Sequence, residues 1–146
     1  PIFPETAMVV AVDLGEWNDI HPVDKHSIGT RLALAARALA YGEKGLEYSG
    51  PIYKSHRAEG DSIRVSFTHT GSGLCSLDGR PLAHFAIRSV DGKWFPARAS
   101  IEGNDVIVRS AEVSAPAAVR YAWAHNPEGA NLGNRERFAA SPFGTD

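Results

Sequence analysis

The chain has 146 residues and a mass of 15.7 kDa, a size that suits one ordinary domain or two small units. Hydrophobic residues make up 43% of the chain and charged residues 22%, which is a globular composition and argues against disorder. A net charge of -2 gives no broadly basic surface for nucleic acid, and no apolar run reaches the roughly 20 residues that span a bilayer. We therefore expect neither nucleic acid nor a membrane as a partner.

Residues 1–47 have the pattern of the closing part of an α/β fold. Residues 7–12 form a continuous apolar run, which is typical of a parallel strand buried on both faces. A polar loop follows, and then a predicted helix, in which Pro22 suits the first turn and Asp24 places negative charge near the positive end. Because a buried strand and one helix do not form a stable layer alone, these residues need a partner sheet.

The loop between this strand and this helix is the strongest candidate for chemistry. It carries three carboxylates, an Asn, a Trp and a His within nine residues, and ligands bind at this end of the strands in open α/β sheets. A histidine beside an acid can act as a general base, because the acid fixes its tautomer and stabilises the imidazolium. His21 lies near the positive end of the helix, so its charged form would need an adjacent carboxylate. The residues alone leave both a catalytic pair and a chance surface triplet open.

From about Gly50 the pattern changes from helical to alternating, and we predict six or seven short strands in an antiparallel β-sandwich or jelly roll. The dipeptides Asp91-Gly92 and Gly103-Asn104 are typical of hairpin turns between such strands. Trp123 alternates with polar or small residues, which favours a place in the core over a sugar-stacking role. The tail from Asn126 is rich in Gly, Pro, Asn and Ala and is predicted to be irregular.

Several motifs run in order along the chain. They are Val12-Asp13-Leu14-Gly15, Asn18-Asp19-Ile20-His21-Pro22, residues 29–42, Ser49-Gly50-Pro51, residues 119–124, Asn126-Pro127 and residues 140–146. Together they resemble the C-terminal part of the sialate O-acetylesterase family, a branch of the SGNH (GDSL-like) hydrolases. The resemblance implies that residues 1–47 hold the last strand and helix of a flavodoxin-like SGNH sheet. It implies that residues 48–146 form a β-sandwich domain with an irregular C-terminal tail.

The resemblance also implies a serine esterase that removes acetyl groups from sugar hydroxyls, in sialic acids or plant polysaccharides, without a metal or organic cofactor. His21, followed by Pro22, matches the catalytic histidine of the family. The wider superfamily has its acid three residues before the histidine, where this chain has Asn18. We therefore assign the acid to Asp19 and keep Asp13 as the alternative.

The serine nucleophile and the oxyanion hole belong to earlier blocks of the family, so the resemblance implies an N-terminal polypeptide that carries the serine. Because the chain begins with Pro1 rather than Met, we expect it to start within something longer. Gly60-Asp61-Ser62 spells the nucleophile block, but it follows a polar segment and comes after the histidine, so we predict a tight turn there. The family suggests a secreted or periplasmic protein, or a lysosome-like location in a eukaryote.

A second hypothesis is a non-catalytic β-sandwich that binds carbohydrate or forms an interface. Aromatic residues such as Trp94 and Phe95 could stack on a sugar, although alternating aromatics are more often part of a core. Trp17 differs from these, because it lies in the candidate catalytic loop, where it could wall a pocket.

Overall fold

The structure is a computed structural model that describes residues 5–146, and in this range one helix precedes ten β-strands. Helix α1 spans Lys25–Leu39. The strands are β1 (Ile52–Glu59), β2 (Ser62–Thr68), β3 (Leu74–Ser76), β4 (Phe85–Ser89), β5 (Trp94–Pro96), β6 (Arg98–Glu102), β7 (Asp105–Arg109), β8 (Pro116–Tyr121), β9 (Leu132–Asn134) and β10 (Phe143–Gly144). Within the described residues, no helix has both the length and the apolar character needed to cross a bilayer.

All pairs of neighbouring strands are antiparallel, as predicted. One four-stranded sheet has the order β1-β2-β7-β6, a second has the order β10-β8-β4-β5, and β3 pairs with β9. The hairpins predicted at Asp91-Gly92 and Gly103-Asn104 are confirmed, since these turns join β4 to β5 and β6 to β7. The strand number exceeds the prediction because four strands have only two or three residues, too few to show an alternating pattern.

The apolar faces of the two four-stranded sheets contribute to one core. Val65 and Val108 come from the first sheet, Ile87 and Val119 from the second, and all four side chains are completely buried. Burying a Val or Ile side chain contributes about 1.5–3 kcal/mol. The alternation of apolar and polar residues in the sequence therefore gives each sheet one face for this core and one face for water.

The predicted helix is present, but it begins later than the sequence suggested. Pro22 lies before α1 rather than in its first turn, and Asp24 is the N-cap, at the positive end of the helix as predicted. Its carboxylate accepts hydrogen bonds from the backbone N–H of Ser27 at 2.9 Å and from the Ser27 hydroxyl at 2.6 Å. These bonds lower the pKa of Asp24, so a negative charge stays at the positive end of the helix.

The strand predicted for residues 7–12 does not form. Residues 6–11 have no regular secondary structure, and Met8 is 75% exposed. The physical reason is that a strand is held by hydrogen bonds to a neighbouring strand, so this segment needs the partner sheet expected from the sequence. No strand of the described residues pairs with this segment, so the SGNH-type sheet predicted here is not seen in residues 5–47.

The expectation that Trp123 lies in the core is also wrong. Strand β8 ends at Tyr121, which is buried, and Ala122 then adopts a left-handed conformation with a φ of 51°. This conformation breaks the two-residue alternation, and Trp123 is 61% exposed.

The tail after Asn126 is more ordered than predicted, because it forms β9 and β10 and is largely buried from residue 130 to residue 134. Asn134 is completely buried. Its side-chain amide donates to the carbonyl of Ser49 at 2.9 Å and to the carbonyl of His69 at 3.1 Å, and its Oδ1 accepts from the N–H of Phe138 at 3.0 Å. The prediction relied on the composition of the tail, which does not reveal that a buried polar side chain ties the tail to distant parts of the chain.

Tyr121→Phe should lower the free energy of unfolding by about 1–3 kcal/mol, because the buried N–H of Leu132 loses the phenolic oxygen that accepts it at 2.9 Å. Urea denaturation followed by circular dichroism measures the change. Tyr41→Phe is the matched control, since Tyr41 is exposed, and it should leave the midpoint unchanged. Equal midpoints for the two variants would show that this hydrogen bond does not stabilise the fold.

Candidate active site

A tight turn in the loop before α1 brings the two predicted catalytic residues together. The N–H of Asp19 donates to the carbonyl of Glu16 at 3.4 Å, and residues 16 and 19 pair as an isolated β-bridge. The chain then bends through Ile20 and His21 toward the cap of the helix. Because Asp19 and His21 are only two residues apart, this local turn is sufficient to place their side chains side by side.

The carboxylate of Asp19 holds the histidine from two sides. Asp19 Oδ1 lies 3.2 Å from Nδ1 of His21 and also accepts the backbone N–H of His21 at 2.8 Å. A carboxylate only accepts hydrogen bonds, so the contact places the proton on Nδ1 and leaves Nε2 of the neutral ring as the basic atom. The side chain of His21 is 77% exposed, and Nε2 has no hydrogen-bond partner among residues 5–146. In this arrangement Nε2 can accept a proton from a group that is not among residues 5–146.

The other acid that the sequence offered, Asp13, is engaged differently. Both of its oxygens bind Arg31 of α1, at 2.8 Å to Nη1 and 2.6 Å to Nη2. Arg31 is buried and also donates to the carbonyl of Val10 at 2.5 Å. The hydrogen bonds to Asp13 raise the pKa of Arg31, against the desolvation that lowers it. Asp13 therefore anchors the segment before the loop to the helix, whereas no hydrogen bond joins it to His21 within the described residues.

The role of Arg31 was not predicted from the sequence. One signal was present: Arg31 is a charged residue at the start of a mainly apolar helical segment, residues 31–39, and a charged residue is expected to have a partner when it is buried. The partner lies 18 residues away in the sequence, which no local pattern reveals.

A cleft of about 520 Å³ lies beside this loop. One wall is formed by residues 15–18, including the side chain of Trp17, and the other by residues 126, 128–131 and 137 of the tail together with Leu77 and Asp78. Trp17 is 77% exposed, in keeping with a pocket wall rather than a core position. The cleft is mostly lined by amides, carboxylates and one aromatic side chain, which are groups suited to a hydroxyl-rich ligand.

The Gly60-Asp61-Ser62 sequence forms the turn between β1 and β2 and the start of β2, in keeping with the predicted tight turn. Gly60 has a φ of 62°, and Ser62 is the first residue of β2. The Ser62 side chain is buried, and its hydroxyl donates to the carbonyl of Glu59 at 2.9 Å. This serine closes a β-hairpin.

Among residues 5–146, no group of three or more His, Cys, Asp or Glu side chains is placed to hold a metal ion.

Comparison with known proteins gives a consistent result. A crystal structure of a carbohydrate acetylesterase from Xanthomonas citri superposes with a TM-score of 0.87 and 47% sequence identity, over 92% of this chain and 31% of that protein. Sialate O-acetylesterase from Mus musculus is 32% identical over 130 residues, which are 84% of this chain and 24% of the mouse protein. Human sialate O-acetylesterase is 50% identical over 56 residues, covering 36% of this chain and 11% of that protein. No family model matches the chain.

These similarities concern both the fold of the chain and its sequence. Its fold, antiparallel sheets preceded by a loop and a helix, is that of one region of a carbohydrate acetylesterase. The chain is a homologue of the sialate O-acetylesterases, as its motifs indicated. It spans about a quarter of the length of the curated relatives, at 24% of the mouse protein.

Arg31→Gln should release the segment before the loop, because Asp13 and the carbonyl of Val10 both lose their cation. We expect amide hydrogen exchange at residues 10–14 to become faster by roughly tenfold or more. Arg37→Gln is the matched control on the same helix: Arg37 pairs with Glu43 on the surface, where ion pairs contribute little. Exchange that is equally slow in both variants would contradict an anchoring role for Arg31.

Proposed function

We propose that this chain takes part in hydrolysis of acetyl esters on carbohydrates, with His21 as the general base and acid and Asp19 as the residue that orients it. The observation that carries the proposal is the contact of 3.2 Å between Asp19 Oδ1 and His21 Nδ1, which leaves Nε2 exposed. The homology with sialate O-acetylesterases supports the reaction class. Asp19 is preferred over Asp13 because both oxygens of Asp13 already bind Arg31.

In the proposed mechanism, Nε2 of His21 takes the proton of a serine hydroxyl as the serine oxygen attacks the acetyl carbonyl. The same nitrogen then protonates the departing sugar oxygen, which leaves an acetyl-enzyme. Water repeats both steps and releases acetate. Asp19 accepts the hydrogen bond from Nδ1 throughout, and it stabilises the imidazolium that forms in each half of the reaction.

The serine belongs, in this proposal, to polypeptide outside the chain. The mouse relative and the structural neighbour are about four and three times as long as the region they share with it, since that region is 24% and 31% of their lengths. We further propose that the same polypeptide carries the oxyanion hole and the SGNH-type sheet next to residues 6–12. The exposed side chains of Met8, Ile20 and Val23 support this, because each is an apolar group that such a sheet could shield from water. A secreted or periplasmic location remains a prediction from the family resemblance.

His21→Ala should lower the rate of acetate release by about 10²–10⁴-fold, because removing a general base costs that much in comparable reactions. The assay uses the natively purified protein, with any polypeptide that accompanies this chain, on 4-nitrophenyl acetate and on acetylated xylan. His26→Ala is the matched control: His26 is exposed on the first turn of α1 and should retain the activity of the unmodified protein. Similar rates for the two variants would exclude His21 from the reaction.

A fluorophosphonate probe, which labels activated serines, should modify a companion polypeptide and not this chain. The buried hydroxyl of Ser62, already donated to the carbonyl of Glu59, is not placed to react. Intact mass spectrometry of the native material after denaturation identifies both the labelled species and its partner. A single species of 15.7 kDa without label would overturn the esterase proposal and would favour a carbohydrate-binding or interface module. Labelling of this chain at Ser62 would show that the catalytic serine was misassigned.

A further inference from the structure

A second concave surface lies on the β-sheet region, on the outer side of the sheet that contains β4, β5 and β8. It is a groove of about 360 Å³, which is near the lower end of the range for small-molecule sites. We call it the tryptophan groove, and its main lining residues are His84, Trp94, Phe95, Pro96, Arg120 and Trp123. None of these residues belongs to the loop that carries His21.

The backbone at the rim of the groove is held in an unusual conformation. Both His84 and Ala122 are left-handed, with φ values of 62° and 51°, although neither is a glycine. They are linked, because the N–H of Ala122 donates to the carbonyl of His84 at 3.0 Å. Such conformations cost free energy and are concentrated at functional sites. Their effect here is to turn Trp123 outward, so that its indole is 61% exposed instead of packed in the core.

A charged pair lies beside the two indoles. The guanidinium carbon of Arg120 is 4.1 Å from the ring centre of Trp94 and 5.4 Å from that of Trp123, within the range of a cation–π contact. Arg120 also donates through Nε and Nη2 to the carboxylate of Asp146. These hydrogen bonds lower the pKa of Asp146, so the carboxylate stays ionised. The Nη1 group of Arg120 makes no hydrogen bond in the described part of the chain, and it is available as a donor.

We propose that the tryptophan groove binds a neutral pyranose unit of a glycan chain, with the sugar stacked on the indole of Trp123. The ring C–H groups of an all-equatorial pyranose, such as glucose or xylose, form an apolar face that matches an exposed indole. Arg120 and Asp146 offer a donor and an acceptor side by side, which suits two adjacent hydroxyl groups. An acidic sugar fits less well, since its carboxylate would lie near that of Asp146.

Binding in the tryptophan groove requires nothing of His21 or of a serine, so it is tested separately from ester hydrolysis. Its consequence would be retention of the polysaccharide beside a catalytic loop, whichever acetyl group is removed. A failure of the esterase proposal leaves this binding site in place, and the reverse also holds.

Isothermal titration calorimetry of the 146-residue chain with cellohexaose and with xylohexaose tests the proposal. We expect saturable binding of at least one of them, with a dissociation constant on the order of 1 mM or tighter. Trp123→Ala should weaken that binding by roughly tenfold or more, as expected for loss of a main aromatic contact, whereas Trp123→Phe should retain most of it. Asp146→Asn should weaken it as well, by removing the charged acceptor.

Tyr41→Ala is the matched control, because Tyr41 is an exposed aromatic residue outside the groove and should not change the affinity. Near-ultraviolet circular dichroism checks that each variant is folded. Absence of saturable binding for both hexasaccharides would overturn the proposal, and so would equal affinity in the unmodified chain and the Trp123→Ala variant. Tighter binding of sialyllactose than of either hexasaccharide would contradict the preference for a neutral sugar.

Discussion

The hydrogen bonds of the buried Asn134 side chain hold the β-sheets, the segment before them and the C-terminal tail in their relative positions. The amide reaches across 85 residues of sequence to the carbonyl of Ser49 and across 65 to that of His69. Since Ser49 follows the helical region and precedes β1, this one side chain joins the start of the sheets, the β2–β3 loop and the tail. The tail also packs closely against Gly50, the residue after Ser49, since a Cβ there would lie 1.9 Å from the carbonyl oxygen of Ala139. These contacts hold in place the tail wall of the cleft, which faces residues 15–18 of the loop before α1.

Features that depend on neighbouring residues were predicted from the sequence. The hairpin at Asp91-Gly92 follows from turn chemistry, and the buried face of β2 follows from alternation at Ile63 and Val65. The contact between Asp19 and His21 belongs to the same class, because only Ile20 lies between them and a single turn suffices. Its catalytic role stays a prediction. Local sequence thus accounts for the antiparallel fold and for the pairing at the candidate site.

Features that depend on residues far apart in the sequence were either not predicted or predicted wrongly. An apolar run such as residues 7–12 predicts a strand only if another strand is present to pair with it, and none of the described residues supplies one. The bond between Arg31 and Asp13 joins a helix to a loop that lies 18 residues away. Trp123 was misplaced for a different reason: one left-handed residue, Ala122, reverses the alternation, and alanine gives no sign of that conformation.

The exposed side chains of Met8, Ile20 and Val23 would also make the affinity for any polypeptide that covers them depend on temperature. Their removal from water would release ordered hydration and give association a negative heat-capacity change. The free energy of such an association comes mainly from entropy near room temperature, and it weakens on cooling. A complex held through this surface would dissociate more readily in the cold room than on the bench. Purification at low temperature would then favour loss of any polypeptide that covers these side chains.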